Sequence, residues 1–369
     1  MKEFLLKPKI AIYDSLKSLL EEKKIGKEDL IITNEFVLMP QLGNEEPPCD
    51  VLYQEKFGQG EPSDEMINGM FKEMKGKTYK RIVAIGGGTI IDISKLFVFG
   101  ADCEVEELYE KGAALEKKSE LIILPTTCGT GSEVTNISIV EFKKKHTKLG
   151  LAIPQLFADE AALVPGMLKT LPYGVFATSS IDALVHAMES YISPEASPFS
   201  RMFGKEAIGK ILNGYLEMRE KGEAKLPADM EDFLIASTMA GIAFGNAGCA
   251  AVHALSYPIG GNYHVPHGKA NYMVFESVFN MYKELGADLS PLEVILEGIF
   301  KCDASEVWEK MFDLLSFVLE NQKLGELGVD AAKAEEMAVS VLENQQRLLG
   351  NNPIELSKEQ IVEIYVRCI

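Results

Sequence analysis

Uninterrupted runs of Val, Ile and Leu that lead into helices constrain the fold of this chain more than any other feature. Residues 30–33, 81–85 and 121–124 are predicted as strands, and residues 65–74 and 89–99 as helices. Strands that are apolar on both faces and alternate with helices are typical of a parallel sheet covered on both sides. The first part of the chain is therefore predicted as an α/β domain.

The strand signal fades after about Pro165, and from Val175 onward the apolar residues recur at helical spacing. A chain of 369 residues is long enough for two domains. We predict an α/β domain over residues 1–165 and an all-helical domain over residues 166–369. In the second domain, the apolar residues of 308–319 are predicted as core, and Ser357 with Gln360 as the capping box of the last helix.

Composition limits the classes of partner. The formal net charge of -18 argues against nucleic acid and anionic membranes, which require basic patches. Six scattered cysteines without a Cys-x-x-Cys pair indicate reduced thiols in a cytoplasmic protein.

Residues 233–267 carry no charged side chain and are long enough to span a bilayer, but their many small residues favour a buried helix hairpin. His146, among lysines, is predicted to lie on the surface.

A glycine-rich turn follows the strand at 81–85. Gly86, Gly87 and Gly88 lead through Thr89 into a helix that carries Asp92. Glycines let a pyrophosphate approach the backbone N–H groups, and the following helix N-terminus attracts anions. The spacing is not G-x-G-x-x-G, and any strand-to-helix turn can use glycine, so this loop alone leaves phosphate binding open.

A second loop, rich in hydroxyls, leaves the strand at 121–124 and contains Thr126, Thr127, Thr130 and Ser132. Such side chains can bind ribose, phosphate or a carboxamide. Alternatively, they form a turn that caps the next helix, with Glu133 near its start. Two loops at the carboxyl ends of strands in one sheet favour a dinucleotide crevice, and hence a Rossmann-like domain.

Three of the five histidines combine with one aspartate into a possible metal site. Asp182 and His186 are four residues apart, on one face of a helix predicted to begin at residues 179–180, while His253 and His267 come much later. Each residue alone has a structural explanation, such as a salt bridge or a buried hydrogen bond. Together, one carboxylate and three imidazoles suit a divalent transition metal.

The segments 86–95, 125–133, 182–186 and 253–267 resemble, in order and over nearly the whole chain, the iron-containing (group III) alcohol dehydrogenases. The resemblance implies a Rossmann-like NAD-binding domain followed by an all-helical metal-binding domain, as in dehydroquinate synthase. It also implies a homodimer or larger homo-oligomer.

Carried over by position, the resemblance implies metal ligands, cofactor contacts and a reaction. The implied ligands of Fe²⁺, or of Zn²⁺ as in some relatives, are Asp182, His186, His253 and His267. The implied contacts of NAD(H) are Gly86, Gly87, Gly88, Thr89 and Asp92, with Thr126, Thr127, Thr130 and Ser132 on the nicotinamide side and Lys148 on its ribose. The implied reaction is hydride transfer between 4-hydroxybutyrate and succinate semialdehyde.

The chain departs from the family pattern at two places. Many relatives have a further histidine four residues after the third ligand, where this chain has Tyr257. We therefore predict that Tyr257 or His264 takes part in proton delivery.

The second departure lies at the end of the second strand. An aspartate often ends this strand in NAD-dependent relatives, and in this chain Asn34 takes its place and is followed by Glu35. Asn34 can still bind ribose and Glu35 should repel a 2′-phosphate, which predicts a preference for NAD(H).

Other functions stay open on the sequence alone. Ethanol, butanol and 1,3-propanediol are alternative substrates within the same family. A carbon–oxygen lyase of the dehydroquinate synthase type has a similar architecture, but the basic residues for clamping a phosphorylated sugar acid are missing. A non-enzymatic NAD sensor would not need a metal site.

Overall fold

A computed structural model describes residues 2–145 and 147–369. His146, predicted to lie on the surface, is outside the described residues. The chain forms two compact units. One contains Leu6–Leu171 and Asp229–Leu234, and the other contains Pro172–Ala228, Ile235–Ile369 and the N-terminal residues through Leu5.

The first unit is built on a parallel sheet of six strands with the order β1-β8-β5-β4-β2-β3. A two-stranded antiparallel hairpin, β6 with β7, stands apart from this sheet. The strands are β1 (Lys9–Ile12), β2 (Asp29–Thr33), β3 (Asp50–Tyr53), β4 (Arg81–Gly86), β5 (Glu120–Pro125), β6 (Ile137–Phe142), β7 (Thr147–Ala152) and β8 (Glu160–Leu163).

Helices accompany the strands of the first unit, which explains why the central strands are apolar on both faces. The α-helices are α1 (Leu16–Glu22), α2 (Glu35–Leu42), α3 (Asp64–Met74), α4 (Gly88–Phe97) and α5 (Val105–Lys111). Short 3₁₀ turns cover Gln54–Lys56, Gly112–Ala114, Ser132–Val134, Lys143–Lys145, Pro154–Leu156 and Pro165–Leu168.

The strand register sets where the loops emerge. Thr33 of β2 pairs with Ile85 of β4, and Gly86 of β4 pairs with Pro125 of β5. Because all of these strands are parallel, the loops that follow β2, β4 and β5 leave the same edge of the sheet.

The chain is helical from Tyr173 to its end. The helices are α6 (Tyr173–Ile192), α7 (Pro198–Glu220), α8 (Glu231–Ala247), α9 (Ala251–Tyr263), α10 (His267–Glu284), α11 (Ser290–Phe300), α12 (Val307–Val318), α13 (Ala331–Asn344), α14 (Gln346–Leu349) and α15 (Lys358–Arg367), with a 3₁₀ turn at Leu324–Leu327. Of the predicted stripe, Trp308, Met311, Phe312 and Leu315 are buried in α12, whereas Leu319 is half-buried just beyond its end. The capping box of Ser357 and Gln360 is confirmed.

The uncharged stretch forms the largely buried helices α8 and α9, which meet at a bend of 105°. No single described helix is long and apolar enough to cross a membrane. Among the described residues, α8 and α9 reach the required length and apolar composition only when the two helices are counted together. The predicted fold class, an α/β domain followed by an all-helical domain, is confirmed. The six cysteines are all free.

Candidate metal centre and nucleotide-binding loops

Four side chains far apart in sequence converge in the helical unit. Asp182 and His186 lie on α6, His253 lies on α9, and His267 is the first residue of α10. Each contributes one ligand atom to a group in which all atoms lie within 4.8 Å of one another. The three histidines that were singled out in the sequence are therefore gathered around one carboxylate.

The position of α10 depends on the glycine that follows His267. A Cβ atom added to Gly268 would lie 2.4 Å from the carbonyl oxygen of Thr178 and 3.0 Å from the Cβ of Asp182, both on α6. Only glycine permits so close an approach of two helix backbones. The pair His267–Gly268 thus brings one imidazole against the helix that carries Asp182 and His186.

The distances suit a bound divalent ion. Ring nitrogens of His253, His267 and His186 lie 3.8, 3.9 and 4.0 Å from the carboxylate oxygens of Asp182. These separations are too long for hydrogen bonds. Ligand atoms that share one ion at 2.0–2.2 Å are at most about 4.4 Å apart. In addition, the buried Nε2 of His253 has no hydrogen-bond partner among the described residues, as expected of an atom that faces a metal.

The charge of Asp182 matches the three imidazoles. Burial alone would raise the pKa of this carboxyl, but His186, His267 and His253 together with the Asn271 amide outweigh burial and lower it. Asp182 is therefore an anion, which a cation ligand requires.

Glu189 orients one of the histidines. Its fully buried carboxylate accepts hydrogen bonds from the backbone N–H groups of Ala250 and Val252, at 3.1 and 2.6 Å, and from Nδ1 of His253, at 2.6 Å. The hydrogen on Nδ1 leaves Nε2 as the ring nitrogen with a lone pair. A carboxylate behind a metal-binding histidine increases its basicity. Burial opposes protonation of His253, but Cys249 and Glu189 outweigh it and raise its pKa.

Asn271 links two of the clustered residues. This fully buried amide, one turn after His267 on α10, donates through Nδ2 to Oδ1 of Asp182 at 2.7 Å. The same nitrogen lies 3.2 Å from Nε2 of His267. Asn271 thus fixes the orientation of the carboxylate.

The two predicted loops of the α/β unit pack against each other. A Cβ atom on Gly87 would lie 3.2 Å from Cγ2 of Thr127, and one on Gly88 would lie 2.9 Å from Cγ2 of Thr130. The backbone N–H of Thr126 donates to the carbonyl of Gly86 at 3.1 Å. The glycines therefore serve close packing between the loops, and Gly87 and Gly88 form the start of α4.

Asp92 and Ser132 are joined within a buried network. The hydroxyl of Ser132 donates to Oδ1 of Asp92 at 2.7 Å, and the backbone N–H of Ile139 donates to Oδ2 at 3.0 Å. The fully buried Lys95 donates to Ser132 Oγ at 2.6 Å and to the carbonyl of Ile137 at 2.7 Å. Burial lowers the pKa of Lys95 to about 8, against the opposing effect of Asp92 and Glu133. These side chains tie the second loop to α4.

The remaining predicted cofactor residues lie in the same unit. The hydroxyl of Thr89 donates to the carbonyl of Gly60 at 3.1 Å, and that of Thr130 accepts from the backbone N–H of Ser132 at 3.3 Å. Lys148, on β7, forms an ion pair with Glu61. Asn34 follows β2 and donates through its amide to Gln54 and Glu55, at 3.1 and 2.9 Å. The roles of these residues in cofactor binding stay predictions.

Comparison with known proteins places the chain in a family. A model of iron-containing alcohol dehydrogenases matches residues 10–165, and a model of the C-terminal part of the Fe-containing alcohol dehydrogenase family matches residues 176–369. The chain belongs to the iron-containing alcohol dehydrogenase family. The two loops after β4 and β5 lie within the first match and the four clustered residues within the second.

Three relatives illustrate the likeness of this iron-containing alcohol dehydrogenase to known proteins. The 4-hydroxybutyrate dehydrogenase of Clostridium kluyveri is 48% identical over 367 residues, which are 99% of either chain. The structure of an iron-containing alcohol dehydrogenase from Thermococcus thioreducens has a TM-score of 0.81 at 28% identity and covers 99% of both chains. The structure of sulfoacetaldehyde reductase from Bifidobacterium kashiwanohense in complex with NAD⁺ has a TM-score of 0.84 at 20% identity. The match covers 100% of this chain and 98% of that chain, which shows that the two proteins share a fold.

The start of the ligand-bearing helix was predicted wrongly. Helix α6 begins at Tyr173 after Pro172, not at residues 179–180. The hydroxyl of Ser180 is used inside the helix, where it donates to the carbonyl of Phe176 at 2.8 Å and lies 2.6 Å from the hydroxyl of Tyr215. Serines that bond back to the preceding turn are compatible with a helix interior, so the serine pair was no N-terminal signal here.

The two predicted proton-delivery residues are placed differently. The ring of Tyr257, on α9, lies 6.1 Å from the ring of His267 between centroids. His264 follows the end of the same helix, is exposed, and has a left-handed backbone with a φ of 55°. Tyr257 is thus beside the metal cluster, and the participation of either residue stays a prediction.

Sequence reasoning missed Glu189 and Asn271. Both could have been found from helix periodicity, because Glu189 follows His186 by three residues and Asn271 follows His267 by four. Residues at these spacings share a helix face. A polar residue on the face of a predicted metal ligand points toward the same site and is a candidate for orienting one of the clustered ligands.

Proposed function

We propose that this protein is a metal-dependent, NAD-linked oxidoreductase that interconverts 4-hydroxybutyrate and succinate semialdehyde. The observation that carries the catalytic part is the convergence of Asp182, His186, His253 and His267 within 4.8 Å. The substrate is supported by 48% identity over 99% of both chains to a 4-hydroxybutyrate dehydrogenase.

The four clustered residues fit divalent iron, and the same ligand set also suits zinc. When bound, the ion supplies Lewis acidity toward the oxygen of the substrate carbonyl or alcohol. The residues of the chain hold the ion in place: Glu189 fixes the ring of His253 and Asn271 fixes the carboxylate of Asp182. This support keeps the ligand atoms in position before substrate arrives, which is the condition for a preorganised site.

The nicotinamide cofactor supplies the hydride. The residues proposed to bind it are those of the two packed loops after β4 and β5. The glycines leave the backbone N–H groups at the start of α4 accessible to a pyrophosphate, and α4 directs its positive end toward the same place. Asn34 and the acidic residues near it support NAD(H) over NADP(H), because a 2′-phosphate would be repelled there.

Proton delivery is assigned to Tyr257 or His264 in this proposal. Tyr257 is favoured by its position next to His267, at 6.1 Å between ring centroids. The variants Tyr257→Phe and His264→Asn each remove one donor with little change in shape. Unchanged pH–rate profiles in both variants would remove this part of the proposal.

The test of the function is the consumption of NADH by the purified, iron-loaded protein with a panel of aldehydes. Succinate semialdehyde should give the highest kcat/KM, above propanal and butanal, which lack the terminal carboxylate. Net oxidation of NADH with the uncharged aldehydes alone would point to another alcohol substrate. No oxidation with any aldehyde would contradict the redox function and favour a lyase or a sensor, since neither oxidises NADH.

We also propose a cytoplasmic homodimer or larger homo-oligomer with a domain boundary at 165/166. The six free cysteines support a reducing compartment. The end strand β1 supports self-association, because Ile10 and Ile12 on it are exposed to 37% and 56%. Light scattering coupled to size-exclusion chromatography should give at least twice the mass of the chain.

A further inference from the structure

The carboxyl ends of β2 and β3 lie at the same edge of the parallel sheet as the glycine loop after β4. Thr33, the last residue of β2, pairs with Ile85 of β4 on one side and with Tyr53 of β3 on the other. Asn34, which follows β2, is therefore one strand away from Gly86, and the residues that follow β3 are two strands away. In dinucleotide-binding folds an acidic residue at such a place accepts a hydrogen bond from the adenosine ribose. Here the residue after β2 is the neutral Asn34.

Glu55, which follows β3, brings a carboxylate to this place. Its Oε2 accepts from Nδ2 of Asn34 at 2.9 Å, and its Oε1 accepts from the backbone N–H of Glu35 at 2.7 Å. Asn34 precedes α2 but forms no capping hydrogen bond with its side chain. Glu55 satisfies the first N–H of α2 instead, and its charge is favourable at a helix N-terminus.

The neighbours of Glu55 also orient Asn34. The Asn34 amide nitrogen donates to Glu55 and to Oε1 of Gln54, at 3.1 Å. Gln54 is buried and held by the carbonyl of Gly58, to which its Nε2 donates at 2.9 Å. With both amide hydrogens used, the Asn34 oxygen is turned away from Glu55. A fixed acceptor therefore stands next to a fixed carboxylate.

Glu55 retains capacity for a ligand. A carboxylate has about four lone-pair sites, and two hydrogen bonds to Glu55 are present. The side chain is partly exposed, so the other sites can be reached. Glu35 differs, because it is exposed and its carboxylate forms no hydrogen bond or ion pair with another residue in 2–145 or 147–369. A free surface carboxylate is poorly positioned and more strongly screened by salt.

We propose that Glu55, supplied by the neighbouring strand, is the residue that binds the adenosine ribose hydroxyls and excludes the 2′-phosphate of NADP(H). Asn34 provides the second acceptor and Glu35 contributes little. This inference rests on the proposed use of NAD(H), and it differs from the sequence-based prediction, in which Glu35 is the repelling charge.

The test compares Glu55→Gln with the matched variant Glu35→Gln by fluorescence titration of NADH and NADPH. Glu55→Gln should reduce the ratio of the Kd for NADPH to the Kd for NADH by about 10- to 100-fold, as expected when a hydrogen bond to a charged group is lost and a repulsion removed. Glu35→Gln should change this ratio by less than about threefold. A larger change in Glu35→Gln, or an equal change of both Kd values in Glu55→Gln, would overturn the proposal.

Binding of NADH and of 2′-deoxy-NADH to the wild type and to Glu55→Gln distinguishes a role of Glu55 in ribose binding from a role in capping α2. The wild-type protein should bind the deoxy cofactor about tenfold more weakly than NADH, and Glu55→Gln should bind the two equally. An undiminished preference of the variant for NADH would show that Glu55 only caps α2. If Glu55→Gln does not fold, Glu55→Asp keeps the charge and should keep the discrimination against NADPH; loss of that discrimination would contradict the proposal.

Failure of the Glu55 assignment can be distinguished from failure of the proposed function. If the wild-type protein binds NADH and oxidises it with succinate semialdehyde, but Glu55→Gln keeps the wild-type cofactor ratio, only the assignment of Glu55 fails. If the wild-type protein binds neither NADH nor NADPH, the proposed function fails first.

Discussion

The candidate metal centre and the two loops after β4 and β5 are built by opposite means. At the metal centre, four side chains from three helices point to one place, and two further buried residues hold them there. In the loops, the glycines serve backbone approach, and several polar side chains bond to one another rather than projecting outward. The first region is defined by side-chain chemistry, and the second by backbone shape.

This difference determines how each region tolerates substitution. A ligand atom has no substitute, because the ion requires that atom at that distance. A loop that binds through backbone N–H groups depends instead on whatever maintains its conformation. The conformation of the loops therefore depends most on buried residues such as Lys95 of α4, which need not contact the cofactor.

The largest effect is expected for Asp182→Asn. The neutral amide removes the only carboxylate among the four clustered residues, so iron binding and aldehyde reduction should both be lost. Since Lewis acidity contributes several kcal/mol, kcat/KM should decrease by about 10³-fold or more. Metal analysis of the purified variant checks the cause, and Asp313→Asn, at an exposed ion pair with Arg219, is the control. Full iron content in Asp182→Asn would contradict the assignment of the site.

Lys95→Met should have the next largest effect, on stability. The substitution leaves the carboxylate of Asp92 without its buried counter-charge, which typically costs about 3–5 kcal/mol. Urea unfolding should therefore show a lower free energy of unfolding, and NADH affinity should decrease although Lys95 is fully buried. Unchanged stability would show that the loops do not depend on this network.

The same variant gives a pH dependence with a defined sign. Burial lowers the pKa of Lys95 from 10.5 to about 8. Between these values the unfolded state binds more protons than the folded state, so the contribution of Lys95 to the free energy of unfolding increases as pH rises through this window. The difference in stability between wild type and Lys95→Met should therefore grow from pH 8 to pH 10. A difference that shrinks over this range would contradict the lowered pKa.

The contrast between the two regions also explains what the sequence could predict. Apolar runs and helical periodicity give the elements, because burial of those faces drives their formation. The four clustered residues were recognisable only in combination, because one carboxylate and three imidazoles together suit a divalent metal. The beginning of α6 was missed, because the serine hydroxyls at 179–180 bond within the helix, where a sequence gives no sign of it.

The hydrogen-bond partners that tie the loops of the α/β unit together were beyond prediction from the sequence. Lys95 and Asp92 are three residues apart, yet their shared partner Ser132 comes from another loop. Likewise, Glu55 reaches Asn34 only because β3 lies next to β2 in the sheet. Such pairings depend on strand order, and local sequence patterns do not determine it.

Glu189→Gln tests whether a residue behind a metal ligand contributes to iron binding. The amide keeps the size of the side chain but loses the charge that accepts from Nδ1 of His253. Iron affinity should decrease by about 10- to 100-fold, as is typical for residues behind a metal ligand. Competition with a chelator measures the affinity, and the exposed Glu195→Gln is a suitable control. Wild-type affinity in Glu189→Gln would show that the ring of His253 is fixed by packing alone.

The smallest effect is expected for Lys148→Met, which tests whether this side chain contacts the cofactor directly. Lys148 forms an ion pair with Glu61, and both side chains retain exposure, at 23% and 41%. Loss of such a pair should change the free energy of unfolding by less than about 1 kcal/mol. If Lys148 also binds the nicotinamide ribose, the Kd for NADH should rise by about two- to tenfold. Glu61→Gln breaks the same ion pair but keeps the lysine, so equal Kd values in the two variants would mean that Lys148 stabilises the hairpin and does not bind the cofactor.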